Sequence, residues 1–394
     1  MATGEFTWLC RQYPDFETRD LRPGILLPGF VDTHIHYPQV YVVGSMGLHL
    51  LDWLKEHMAS AETLLVDPTH ARRVAQDSLK LMLRNGTTCA LVFGAHFREA
   101  QDILFDEAST LGIQLTSGMA MADRYLHQEL LQSPSDVYES GISLIERWHG
   151  KGRISYAVTP RFALSTSPVL LEVARELLRM KPGIILQTHI NETVDEVSAV
   201  RESFPWAKDS LAVYEAFDLV GPRSVFAHDV CPTESELQRL AAAHASVAHC
   251  PTSNAFLGSG LFPMKVHCEQ GVNVALGSDV GAGTGFSLLK EGLMAYEVQM
   301  LSPNGYPLTP THLLYLATAA GARALGVDRE VGDLSPGKYA DMVLVKPRKG
   351  STLDTVLSHC DSAEEVLGAI FTLAGEDSVA EVFLAGRSAY RRPR

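Results

Sequence analysis

Short apolar runs alternate with longer stretches of helical periodicity along most of the chain. The runs are Ile25–His36, Thr87–Gly94, Ile113–Ala122, Ile154–Arg161, Ile184–Ile190, Ser224–His228, Ser246–Cys250 and Val272–Asp279. They are rich in β-branched residues and often bounded by Gly or Pro, as strands buried on both faces are. Between them Arg72–Arg84, Pro168–Met180, Thr233–Ala243 and Phe286–Gln299 read as helices, and Thr233 with Glu236 makes a capping box. Repeated strand–helix units predict an α/β fold with a parallel sheet. Eight strands close a (β/α)8 TIM-like barrel, whose chemistry gathers at the C-terminal strand ends. A doubly wound open sheet competes, but it would show a glycine-rich phosphate turn after its first strand. Here that strand ends in HIHYPQ.

After Gly326 the pattern changes. Ala340–Lys346 and Val379–Tyr390, the latter broken at Ala385-Gly386, read as antiparallel strands of a small flanking β domain. The expected division is 1–25, a short segment contributing to that domain; 26–326, the barrel; and 327–394, the rest of the β domain.

Composition narrows the function. Apolar residues make up 46% of the 394, enough for a substantial core. A formal charge of −13 argues against nucleic acid or an anionic membrane as partner. The six cysteines form no CxxC pair, which suits reduced thiols and predicts a cytoplasmic protein. The first residues, MATGEFTWLCRQ, carry no signal-peptide pattern, and no apolar run reaches membrane-spanning length.

The polar residues that end the apolar runs carry the chemistry. His34 and His36 share one strand face because alternate strand residues point the same way. The fifth run ends in THINE (His189, Glu192), the sixth in AHD (His228) and the eighth in GSD (Asp279). A barrel brings such ends together. Three imidazoles and one carboxylate drawn from them suit zinc; Fe2+ or another transition metal fits the same donor types. Glu192 is expected to open a helix, where it would act as general base. The fourth run ends in TPRF. Arg161 offers paired donors to the O6 and N7 acceptors of a guanine ring, and Phe162 an apolar face. Arginine cannot be deprotonated to bridge two metals, so one metal is expected. His249 ends the seventh run and is a candidate for lining the pocket, whereas Cys250 reads as packing.

Taken together and in order, PGFVDTHIHYPQ, TPRF, THINE, AHD, AHCPTSNAFLGSGLF, GSDVGAGTGFSLL and GDLSPGKYADMVLV resemble the guanine deaminases of the metal-dependent amidohydrolase superfamily. The resemblance runs from about Leu26 to the C-terminal strand. It implies one zinc per subunit held by His34, His36, His189 and Asp279, and His228 near the attacking water. It implies Gln39, Arg161 and Phe162 as purine contacts, Glu192 as proton shuttle, and a homodimer. Attack at C2 of guanine turns the C2–N3 edge to the metal and leaves O6 and N7 for Arg161 and Gln39. His228 and Asp279 would then steady the oxyanion. Competing functions are a deaminase or chlorohydrolase acting on another purine, a pterin or a triazine, and an inactive scaffold on the same barrel. Two departures from the family pattern stand out. Only 33 residues precede His34, so the C-terminal strands are expected to lack partners. Asp229 follows His228 and is expected to alter the charge around it.

Overall fold

The computed structural model describes residues 4–393. Eight parallel strands run β2 (Phe30–His36), β3 (Thr87–Phe93), β4 (Gln114–Gly118), β6 (Ile154–Pro160), β7 (Ile185–Ile190), β8 (Ser224–His228), β9 (Ser246–His249) and β10 (Asn273–Leu276). A two-residue strand, β5 (Ala120–Met121), pairs beside β6. The seam between the first and last barrel strands is bridged by Asp279 N–H to the His34 carbonyl and His36 N–H to the Val280 carbonyl, both at 2.8 Å. β3 is buried along its whole length, as the unbroken apolar runs require. Helices Pro68–Arg84, Pro168–Arg179, Glu234–Ala242 and Leu288–Leu301 begin and end within four residues of the periodic stretches. The Thr233–Glu236 capping box is formed on both sides.

The expected single strand over Ile25–His36 is divided. β1 (Ile25–Pro28) leaves the barrel and pairs antiparallel with β11 (Met342–Val345), while Phe30 begins the barrel strand. Gly29 is the joint. A Cβ there would sit 2.0 Å from the Thr88 hydroxyl, so only glycine lets the chain cross so close to β3. The barrel therefore starts at residue 30 rather than 26. The C-terminal strands do not lack partners: β11 lies between β1 and β12 (Val379–Leu384), and β13 (Arg387–Arg391) completes a four-stranded sheet. Ala385 and Gly386 both have positive φ, as a two-residue hairpin turn demands. Asp341 locks this sheet to the barrel. Its main-chain carbonyl accepts from Gly29 N–H, and its carboxylate pairs with Arg153. Among the described residues no helix is long and apolar enough to cross a membrane.

Candidate metal centre and substrate cleft

Strand ends place four donors together. His34 and His36 project from one face of β2, His189 from β7, and Asp279 follows β10. One ligand atom from each lies within 4.8 Å of all the others. His34 Nε2 and His36 Nε2 stand 3.2 and 3.4 Å from Asp279 Oδ1, and His36 Nε2 stands 3.2 Å from His189 Nε2. Ligands about 2.0–2.1 Å from a tetrahedral metal are roughly 3.3 Å apart, so these separations fit a divalent cation. His189 Nδ1 donates to the Arg161 carbonyl at 2.6 Å, which leaves Nε2 with its lone pair turned to His36. His34 Nε2 is buried without a hydrogen-bond partner. Neutral imidazole lone pairs facing one another are unfavourable unless something shares them, so the donor set suits a metal.

The cradle is held by backbone as much as by side chains. The Asp32 carboxylate accepts from His34 N–H, Ser278 N–H and the Ser278 hydroxyl, tying β2 to the end of β10. Gly277 must be small because a Cβ there would meet His34 Cβ at 2.7 Å. Asn191, His228, Asp229 and Asp279 all carry positive φ although none is glycine. Such strain gathers where surrounding contacts over-determine a site.

Glu192 and His228 sit beside the cradle. His228 Nδ1 is fixed by Asn254 Oδ1 at 2.9 Å, and its Nε2 faces Glu192 Oε2 at 3.7 Å and Asp279 Oδ2 at 3.8 Å. Burial, reinforced by nearby Asp279 and Glu196, raises the Glu192 carboxyl to about 7 against the pull of His228 and Ser259. A cation in the cradle would draw it back down. Glu192 does not open a helix as expected. Thr193 is the N-cap of Val194–Ser203, its hydroxyl accepting from Glu196 N–H, and Glu192 stands one residue earlier in the loop. That position frees its side chain to face the cleft, while its N–H donates to Glu196 at 2.7 Å.

A polar wall adjoins the cradle. Arg161, Gln39 and Phe162 line the same cleft as His36, His189 and Glu192. Arg161 is buried, so a surface ion pair is excluded. Its Nη1 donates to both oxygens of Glu62, at 3.0 and 3.2 Å. Gln39 Nε2 donates to Glu62 Oε1 at 2.7 Å, Gln39 Oε1 accepts from Gly281 N–H at 3.3 Å, and His96 Nε2 lies 3.1 Å from Glu62 Oε2. Burial would raise the Glu62 carboxyl, but Arg161, His96 and Gln39 outweigh it and hold the group near 2. Glu62 and His96 end no apolar run and carry no motif in the sequence. Glu62 belongs to an irregular stretch in which Leu50–Trp53, a π-turn at Leu54–Met58, Ala59–Thr63 and a 3-10 turn at Leu64–Val66 follow one another. π-turns concentrate at functional sites, but they leave no periodic mark.

His249 is buried against Phe262, ring centroids 4.0 Å apart, and does not line the cleft. Cys250 comes near His34 and His228. Burial pushes its thiol well up, and the thiol donates to the Ala248 carbonyl. Asp229 does not face His228. It pairs with His267 Nε2 at 2.9 Å and accepts from Asn191 at 3.0 Å.

Comparison with known proteins gives the family and the fold. A family model described as "Amidohydrolase family" matches residues 25–389. A probable guanine deaminase of Deinococcus radiodurans is 52% identical over 96% of this chain and 87% of its own. The structure of E. coli guanine deaminase superimposes with a TM-score of 0.96 at 39% identity, covering 99% of this chain and 90% of that one. Guanine deaminase from C. acetobutylicum, solved with guanine in its active site, superimposes with a TM-score of 0.90 at 25% identity, covering 96% and 90%.

Proposed function

The chain belongs to the amidohydrolase family, among its guanine deaminases, and from that premise we propose that this site hydrolyses guanine to xanthine and ammonia. The observation that carries the reading is that one cleft is lined by a four-donor metal cradle, by Glu192 and by a donor wall of Arg161 and Gln39. His34, His36, His189 and Asp279 would hold one Zn2+, which when bound supplies the Lewis acidity that makes water nucleophilic near neutral pH. Arg161 and Gln39 take the O6 and N7 acceptors, which turns C2 and N3 towards Glu192. Phe162 covers a ring face.

Glu192 then takes a proton from the attacking water as the oxygen bonds to C2, and passes it to N3. His228 Nε2, between Glu192 and Asp279, stabilises charge on the added oxygen. Glu192 then moves the remaining proton of the added hydroxyl to the exocyclic nitrogen, so that the C2–N bond breaks as the C2 carbonyl forms. Guanine and water thus yield xanthine and ammonia, with Glu192 restored. A cytoplasmic homodimer belongs to the same reading, and sedimentation of the purified protein tests the dimer.

The decisive experiment assays ammonia release from a panel of purines, pterins and triazines with metal-reconstituted protein. Guanine should be turned over best, with xanthine as product. Turnover of a triazine without guanine would replace the substrate. Failure to retain metal in a folded protein would replace the enzyme with a scaffold.

A further inference from the structure

The buried Glu62 does not line the cleft, yet it touches both groups that do the recognising. Gln39 Nε2 and Arg161 Nη1 donate to the same oxygen, Glu62 Oε1, at 2.7 and 3.0 Å. They are therefore neighbours, and the nitrogen end of the Gln39 amide is the end beside Arg161. The other end is equally committed, because Gln39 Oε1 accepts from Gly281 N–H. A carboxylate can only accept and a peptide N–H can only donate. Rotating the Gln39 amide by half a turn would set oxygen against carboxylate and NH2 against N–H, with no water to relieve either contact since Gln39 and Glu62 are both 1% exposed. One orientation remains. Glu62 is itself fixed by the contacts from Arg161 and His96.

The consequence is a wall made of donors. Arg161 has no acceptor, and Gln39 keeps an N–H beyond the one given to Glu62. Resting on the reading that this wall meets the C6–N7 edge of a purine, we propose that Glu62 is a positioning residue for specificity: it locks the Gln39 amide and so selects 6-oxo over 6-amino purines. Guanine and 2,6-diaminopurine carry the same reacting edge, a C2 amine beside N3. They differ at position 6, an acceptor in guanine and a donor in diaminopurine, and with it at N1, which carries a proton in guanine and a lone pair in diaminopurine. The lock discriminates between them without touching the chemistry: diaminopurine and water would give isoguanine and ammonia by the same bond changes.

The test measures kcat/KM for guanine and for 2,6-diaminopurine in the full-length, metal-loaded protein and in Glu62→Gln, Glu62→Asp and Gln39→Met. Wild type should prefer guanine. Glu62→Gln places an amide, able to donate or accept, where only an acceptor stood, so the 3.3 Å bond from Gly281 N–H alone opposes a turn of the Gln39 amide. The guanine-to-diaminopurine ratio should fall about tenfold or more, the worth of one mispaired hydrogen bond. Glu62→Asp keeps the charge and should restore most of the ratio. Gln39→Met leaves the Glu62–Arg161 pair intact and should also lower the ratio, which keeps the test open if Glu62→Gln does not fold. Equal losses for both substrates, with the ratio unchanged in folded, metal-loaded variants, would overturn the lock while guanine deamination stands. A wild-type protein that does not deaminate guanine overturns both.

Discussion

Arg161→Ala separates what this residue does for substrate from what it does for the fold. Its guanidinium pairs with Glu62, and both are buried. Removing it leaves a buried carboxylate held only by Gln39 and His96, a loss of about 3–5 kcal/mol in stability. The contact with a purine edge is worth about 1–3 kcal/mol, which at about 1.4 kcal/mol per tenfold is a rise in KM of roughly 5- to 150-fold. Neither effect should reach the metal, because Arg161 supports His189 through its main-chain carbonyl, which alanine retains. The assays are guanine kinetics by ammonia release, metal content, and thermal unfolding. The double variant Arg161→Ala/Glu62→Gln removes the unpaired charge, so it should recover much of the lost melting temperature and none of the KM. Metal content should match wild type in both variants, and kcat should change less than KM. A KM for guanine equal to wild type in a folded, metal-loaded Arg161→Ala would refute the placement of the purine edge on this wall.

Three further outcomes follow from the same geometry. Glu192→Gln should lower kcat by about 10²–10⁴ with metal content intact, and loss of the metal instead would make Glu192 a ligand. Chelation should abolish activity and lower the melting temperature. Zn2+ at about a thousand times its Kd should restore roughly 4 kcal/mol, and a melting curve indifferent to chelator would argue against the cradle. Glu291 is buried, accepts from Thr252 N–H and the Thr252 hydroxyl, and is raised by burial from 4.5 to about 8. Because the folded value is the higher one, its contribution is complete below about pH 4.5 and is lost as pH rises towards 8. Glu291→Gln cannot titrate, so its melting temperature should gain on wild type across that window; a constant difference would refute the assignment.

What could be read from sequence was what lies close in sequence. The apolar runs mark strands because a strand buried on both faces has no polar position to spare, and a polar residue ending such a run must have a use. That located His34, His36, His189, His228 and Asp279. Pairings between distant segments were not legible. Glu62 and Arg161 stand 99 residues apart, and nothing near Glu62 distinguishes it from an acid on an exposed helix face. β1 was merged with β2 because both are apolar; only the Thr88 side chain against Gly29 shows why the chain must change sheets there. The same merging hid the partner of β11. The helix opens at Val194, two residues after Glu192, because the Thr193 hydroxyl accepts from Glu196 N–H and caps it.

Two kinds of construction meet at this cleft, and their difference bears on how each half can change. The metal cradle is built from strand ends and from the hydrogen bonds of Asp32, Ser278 and the Arg161 carbonyl. Substituting one of its ligands or the Asp32 carboxylate disturbs strands that close the barrel. The recognition wall instead converges on one carboxylate delivered by an irregular helical stretch outside the barrel. Side chains there can be exchanged without altering a strand register. Arg161 belongs to both, its carbonyl to the cradle and its guanidinium to the wall. On the proposed placement of the purine edge, side-chain substitution at this one position should therefore perturb recognition while leaving the support of His189 in place.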